Sequence, residues 1–372
     1  MAAELATRPY VKYSLSLEQI PEGEDDDIEA VARQINEIQK DYYRTHRRCF
    51  TGTHPRTQGI VKGKFIVPDD LPAYLKQGEL FDHGGEYDVV ARYSTETQNP
   101  SADDREPAPR GFSMKLFGVS GDFYPGPGTE CHTQDIEFNS TPMLELSDAK
   151  TTREIFDMRM KHGMSGSEME ASLLKRPDRT LQLGRYQVHN THLESLGFYS
   201  QTAYRYGDYV IKYKLTPNTE LQKQLAQETA TSASNSNILH AVTNPLTTLK
   251  NTITGGPGDQ QQLPKDVLSE WLKDYYSKHD AEYLFQVQLL ENLDDQPIEY
   301  AGTEWDEQKY PFQTVARVVF PKQDSFSFKA KAFWEDSMRL DPWGVYPASA
   351  NLRRKMNGSQ EVHVKSIDEI PF

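Results

Sequence analysis

The sequence predicts an α+β protein organised around an antiparallel β-sheet or barrel, with helices at its periphery. Three observations carry this. Short apolar runs that alternate with period two recur between Gly- and Pro-rich turn signals. The first four follow one another with no long helix between them, which suits antiparallel strands joined by short connections. Helical spacing is confined to segments before and between these runs.

Residues 1–27 read as an extended lead-in. It ends in Glu24, Asp25, Asp26 and Asp27, acids placed where a helix N-terminus favours negative charge. Ile28, Val31, Ile35 and Ile38 then recur at helical spacing, so a helix is expected to about Arg47, with Arg44, Arg47 and Arg48 at its basic end. Residues 49–67 hold His54 and a strand. Ile60, Lys62, Lys64 and Ile66 fall on one side, and Val61, Gly63, Phe65 and Val67 on the other. A histidine at this place can point into an enclosed cavity, although a lone histidine is more often structural.

Further strands are expected over residues 87–93, 111–117 and 133–138, each preceded by a turn-rich or polar loop. A helix is expected over residues 147–163 and a strand over 208–215. Residues 216–266 contain the polar stretch ETATSASNSN and a Gly/Pro loop, and read as a mobile surface insertion. A helix over residues 265–279 and strands over 283–290 and 314–320 complete seven or eight strands. One domain over residues 48–357 is expected, preceded by an arm and helix (residues 1–47) and followed by a tail (residues 358–372).

Composition excludes several classes. The 372 residues carry 41 Lys and Arg against 55 Asp and Glu, a net charge of -14, which argues against a nucleic-acid binder, since that would need a basic face to neutralise phosphate. Two cysteines, Cys49 and Cys131, cannot build a disulfide framework or a four-cysteine zinc site. The opening MAAELATRPY has no apolar signal region, and no run approaches the ~18 apolar residues of a membrane span. A cytoplasmic location is the resulting expectation. The 20 Tyr and 16 Phe can fill a core or wall a flat apolar ligand.

Seven short motifs, in order, carry a resemblance. They are Thr53-His54; Ala91-Arg92-Tyr93-Ser94-Thr95; Arg110-Gly111-Phe112-Ser113-Met114-Lys115; Gln134-Asp135 through Asn139-Ser140-Thr141-Pro142; Tyr204 to Tyr209 (YRYGDY); Pro297-Ile298-Glu299 with Trp305; and Asp341-Pro342-Trp343. Together they resemble the catalase family over roughly residues 40–357. The likeness is to its short, allene oxide synthase-like and minicatalase branches. It implies a catalase-like antiparallel β-barrel with peripheral helices.

The resemblance also implies haem b held in the barrel and a small-molecule peroxide or apolar substrate. His54 would be the distal acid/base, with Thr53 bonding beside it and Ser94 orienting it. Asn139, rather than Ser140, would be the amide that orients the peroxide. Arg92 and Arg110 would be cofactor-binding groups, the former paired with a propionate. Arg354 falls on the arginine that faces the proximal ligand.

Two departures stand out. Thr51 occupies the place of a propionate arginine three residues before the histidine, with Arg48 or Arg47 as substitutes only if the segment is rearranged. Gly358 occupies the place of the iron-ligating tyrosine, so Tyr346 or His363 would have to replace it.

Three functions follow as expectations. The first is a haem oxidoreductase acting on peroxide or a fatty-acid hydroperoxide. The second is a haem-free cyclase, isomerase or lyase acting on an apolar small molecule. The third is a non-catalytic binding protein. Analogy with the family implies a homo-oligomer. His189 and His192 have an HxxH spacing without an obvious set of metal-ligand partners, and the four tryptophans read as packing residues.

Overall fold

The structure is a computed structural model and describes residues 5–48, 50–120, 132–164, 166–228, 263–338 and 340. Nine strands form one sheet: β1 (Arg56–Val67), β2 (Gly85–Thr95), β3 (Arg110–Phe117), β4 (Thr133–Asn139), β5 (Phe198–Tyr199), β6 (Tyr204–Tyr206), β7 (Tyr209–Pro217), β8 (Ala281–Leu289) and β9 (Gln313–Phe320). Their order is β5-β4-β3-β2-β1-β9-β8-β7-β6, and β5 also pairs with β7. That pairing closes an eight-stranded antiparallel barrel, with β6 attached as an outer strand. The principal helices are α1 (Glu24–His46), α2 (Gly78–Asp82), α3 (Ala149–His162), α4 (Ser167–Leu173), α5 (Arg179–Leu183), α6 (Glu220–Leu225), α7 (Val267–Lys278) and α8 (Phe328–Ser337).

Period two decides what the barrel holds. One face of β2, β3 and β4 carries Ala91, Tyr93, Phe112, Met114, Ile136 and Phe138, all in the main apolar core. Phe112 meets Tyr93 at 4.7 Å and stacks on Phe198 at 5.2 Å, measured between ring centroids. Phe138 meets Tyr213 at 5.0 Å. Tyr93, Tyr276 and Tyr283 join their hydroxyls at 2.8 and 2.9 Å, so the polar ends of these buried rings are satisfied. This interior is packed with side chains. The expectation that His54 and a cofactor lie inside the barrel is therefore corrected: the interior is filled with rings, and the opposite face of the same strands carries the polar residues.

Helices coat that outer face. Ser327 caps α8, its hydroxyl accepting from the Ala330 amide at 3.4 Å. Ala330 and Trp334 then pack on Ile60, Val90 and Phe117. α1 lies on α3 through Ile38, Tyr42 and Phe156. Gln34 donates to Asp157 at 2.6 Å, and Arg153 pairs with Asp27. The two-residue β5, β6 and α8 were not expected from the sequence. β5 and β6 are too short to show a period, and α8 announces itself only through its Ser327 cap.

His192 holds one closed polar site. Its Nδ1 lies 3.0 Å from Glu194 Oε1 and its Nε2 lies 3.0 Å from Glu228 Oε2. The ring stacks on Trp271 at 4.0 Å. Both ring nitrogens face acceptors, so the imidazole is held as a cation. Burial opposes that charge, but Glu194 and then Glu228 outweigh it and raise the pKa to about 9. The resulting stability is fully present below pH 6.5 and lost as pH rises through 9. Unfolding with urea should show His192→Ala to be less stable than the unsubstituted protein by up to about 3 kcal/mol near neutrality. The gap should narrow above pH 9 to what the lost stacking on Trp271 leaves, and a gap independent of pH would refute the cationic clamp. Among the described residues, no group of three or more His, Cys, Asp and Glu is placed to hold a metal ion.

Candidate active site

The outer face of the first four strands carries a continuous row. The register places Thr57 opposite Ser94, Ser94 opposite Gly111, and Gly111 opposite Asn139. His54 lies over this row. A Cβ built on Gly111 would fall 2.6 Å from His54 Nδ1 and 2.6 Å from Ser94 Oγ, so the imidazole occupies the space that a side chain would need. Ser94 Oγ and His54 Nδ1 are 3.3 Å apart. The backbone of His54 sits at φ 50°, in the left-handed region, directly before Pro55. Such a conformation costs about 1–3 kcal/mol and persists only where its surroundings enforce it. Arg92 supplies that enforcement: its Nη2 donates to the His54 carbonyl at 2.6 Å and its Nε to Thr57 Oγ1 at 3.0 Å.

This geometry leaves two nitrogens unclaimed. Among the described residues, His54 Nε2 and Asn139 Nδ2 make no hydrogen bond. Asn139 Oδ1 accepts from the Ser140 amide at 3.0 Å, which fixes the amide group. Ser140 itself is engaged, its hydroxyl accepting from the Arg110 amide at 3.0 Å. A base with one anchored and one free nitrogen, beside a free amide donor, can move a proton on a small polar ligand.

Electrostatics keep that base neutral. Burial is the main cause that lowers the His54 pKa to about 4. Arg92, Arg185 and Arg159 lower it further, and Glu96 opposes them. Arg159 and Arg185 converge on Glu96 Oε1 at 2.8 and 3.3 Å, and Glu145 Oε1 lies 3.4 Å from Arg185. All four side chains of this cluster are buried. Burial alone would raise the Glu96 carboxyl, but Arg185 and Arg159 hold it well below the usual range. Sequence reading missed this cluster, because the four residues come from four separated segments and no spacing links them.

Basic groups border the row. α1 ends at His46, and Arg47 turns the chain at φ 56°. Arg48 then reaches Glu335 of α8 at 3.2 Å, and Arg56 pairs with Asp104 at 2.6 Å. Arg92 Nη1 makes no hydrogen bond among the described residues, although burial lowers its pKa to about 10.

Two expected members stand apart. Thr53 is exposed and makes no side-chain hydrogen bond among the described residues, so it does not bond beside His54. Arg110 shares the parity of Phe112, not that of Ser94 and Asn139. Its guanidinium is buried and donates to Thr95, Asn190 and the carbonyls of Asp104 and Glu106. Arg110 is therefore a structural tie at the barrel end, which corrects its expected role as a cofactor-binding group. Arg354, Tyr346, His363 and Gly358 lie outside the described residues, as do Cys49, Cys131 and Trp343.

No protein-family model matches the sequence, and no curated protein matches it. Solved structures do. A fungal catalase is 15% identical with a TM-score of 0.58, the match covering 85% of this chain and 59% of that one. Catalase A from Saccharomyces cerevisiae is 15% identical with a TM-score of 0.58, covering 93% and 65%. A bacterial catalase is 13% identical with a TM-score of 0.54, covering 87% and 58%. The chain thus has the catalase-related fold and spans less than two thirds of the length of these neighbours. Among the described residues, no helix is long and apolar enough to cross a membrane.

Proposed function

We propose that this protein is a catalase-fold haem oxidoreductase acting on peroxide or an organic hydroperoxide. The observation that carries this reading is the placement of His54 Nε2 and Asn139 Nδ2, both unclaimed among the described residues, on one row of the outer barrel wall. His54, neutral above about pH 4, takes a proton from one peroxide oxygen and returns it to the other. Asn139 donates to the bound ligand and orients it. Ser94 and Gly111 fix the imidazole plane, and Arg92 fixes its backbone.

These residues fit one side of haem. The gap over Gly111 that a Cβ would fill holds an imidazole edge, and Arg92 Nη1 remains available to a propionate. Bound there, haem would supply the redox-active iron that peroxide cleavage needs. A second reading, a haem-free cyclase, isomerase or lyase using the same His54, is favoured by Gly358 and Thr51 in the sequence.

An absorption spectrum of protein purified from cells supplied with excess haem precursor separates the two. A Soret band with near-stoichiometric iron supports the first. Its absence overturns the first and directs the search to apolar metabolites. If haem binds, hydroperoxide turnover should stay flat from pH 5 to 8 and fall as pH drops toward 4, where His54 protonates. An acid limb near pH 6.5 would place His54 outside the chemistry.

A further inference from the structure

α8 brings a lysine to the edge of the polar row. Its Ala330 and Trp334 pack on Ile60 of β1, Val90 of β2 and Phe117 of β3. Ile60 lies opposite Arg92 in the register, so the helix passes beside the point where Arg92 leaves the wall. Lys331 follows Ala330 and Glu335 follows Trp334. The two side chains stand one turn apart, with Lys331 Nζ 4.0 Å from Glu335 Oε1.

Glu335 is the acid that this corner shares. Its side chain is buried, and Arg48 reaches it at 3.2 Å. Arg92 is drawn to it more than to Glu137. Arg56, Arg48 and Arg92 in turn repel Lys331. Asp104 answers Arg56 at 2.6 Å. Arg92 and Lys331 have no such close acceptor. Arg92 uses Nε and Nη2 on Thr57 and the His54 carbonyl, and Nη1 makes no hydrogen bond among the described residues. Arg92 is only 4% exposed, yet the unpartnered atoms sealed from solvent include Arg110 Nε and not Arg92 Nη1. Lys331 Nζ also makes no hydrogen bond among the described residues; it lies 4.9 Å from the Phe326 ring centroid, and its side chain is 27% exposed.

We propose that Arg92 Nη1 and Lys331 Nζ form a seat for the carboxylate of a partly apolar ligand, with Arg92 as its fixed floor and Lys331 as its movable arm. Arg92 is locked by its two other bonds, so Nη1 offers N–H donors in one plane. The ammonium of Lys331 turns on a flexible stem and can close over the bound oxygens. Both donors are charged, which makes the hydrogen bonds to a carboxylate strong. One negative charge suits the corner, because Glu335 already stands beside Lys331 and would repel a dianion more. Ile60 and Trp334 give the ligand body apolar neighbours. Two sources present this chemistry, the carboxylate of a substrate and a propionate of haem. The seat itself stands without haem, and only its second source rests on the haem reading.

The test titrates the full chain with two matched pairs of probes: octanoate and octanamide by calorimetry, and haemin and its dimethyl ester by absorbance. In at least one pair the acid should bind about tenfold tighter than its neutral partner, the effect of one charge-assisted contact. Lys331→Met should abolish most of that preference, and Lys331→Arg should restore it. A preference confined to octanoate names a substrate carboxylate as the occupant, and one confined to haemin names a propionate. Acid and neutral probes that bind alike in both pairs, or preferences that survive Lys331→Met, overturn the seat. Failure of haemin to bind at all, with the octanoate preference intact, overturns the haem reading and leaves the seat standing. If Lys331→Met does not fold, acetylation of the unsubstituted chain decides, mapped by peptide mass spectrometry. Octanoate or haemin should then slow modification of Lys331 but not of exposed Lys329, and equal slowing of both overturns the seat.

Discussion

Gly111→Ala is expected to lower His54-dependent turnover about a hundredfold while leaving the fold intact. The added Cβ would sit 2.6 Å from His54 Nδ1, 2.6 Å from Ser94 Oγ and 2.9 Å from His54 Cε1, all closer than carbon tolerates. Each of these neighbours is a side-chain atom, so the cheapest response is rotation of the imidazole off the row. That motion breaks the Ser94 contact and takes Nε2 away from Asn139's neighbourhood, at little cost in packing. Gly63 provides the contrast. A Cβ there would strike the backbone carbonyl of Val319 on β9, which cannot turn aside, so Gly63→Ala should lose stability without a selective loss of turnover. Turnover and urea unfolding measured on both variants would distinguish the two effects. If no turnover can be found, NMR titration of His54 substitutes: its pKa should rise from about 4 toward the ordinary value when the ring leaves its enclosure. Gly111→Ala protein with unchanged turnover and an unchanged His54 titration would remove Gly111 from the site.

The same glycine shows what sequence could convey. Arg110-Gly111-Phe112 is legible as a strand motif, and its alternation gives the strand and its partners. The reason for the glycine is not legible there, because it lies in a cross-strand neighbour and in a histidine 57 positions earlier in the chain. The ten expected strand and helix segments appear where the apolar period placed them, since burial on a closed sheet enforces that period. What the period leaves open is which face is inside. Both faces of β3 are buried, one under rings inside the barrel and the other under helices outside. Hydropathy therefore cannot separate them, and the expectation of an interior site erred at that point. Arg110 failed for the same reason of parity: one position from Gly111, it points to the other face. His54 and Asn139 were identifiable only through their motifs, whereas the ionic cluster behind them was not identifiable at all.

That cluster carries the second large effect. Glu96→Ala is expected to destabilise the protein by about 3–5 kcal/mol, the cost of leaving buried charge without its partner. Arg159 and Arg185 both donate to Glu96 Oε1, and each is more than nine tenths buried. Glu145 cannot replace it: its oxygen lies 3.4 Å from Arg185 and 3.7 Å from Arg159, and burial, followed by repulsion from Glu96, raises its pKa. The substitution would leave two buried guanidinium groups to share the more distant Glu145 carboxylate. The pH dependence has a definite sign. The Glu96 pKa is depressed in the folded protein, so its contribution is present above the ordinary carboxylate range and is lost as pH falls below it. The stability gap between Glu96→Ala and the unsubstituted protein should therefore be widest near neutrality and shrink in acid. A second consequence reaches the site. Glu96 is the charge that favours protonated His54, so its loss leaves Arg92, Arg185 and Arg159 unopposed and drives the His54 pKa below about 4. Any acid limb of turnover should then move to lower pH, whereas a purely structural role for Glu96 would leave the limb in place. Urea unfolding at pH 3 and 7.5, together with a pH profile or a His54 titration, measures both. Equal stability of the two proteins at pH 7.5 would rule out a tightly coupled cluster, and an unmoved His54 titration would separate it from the site.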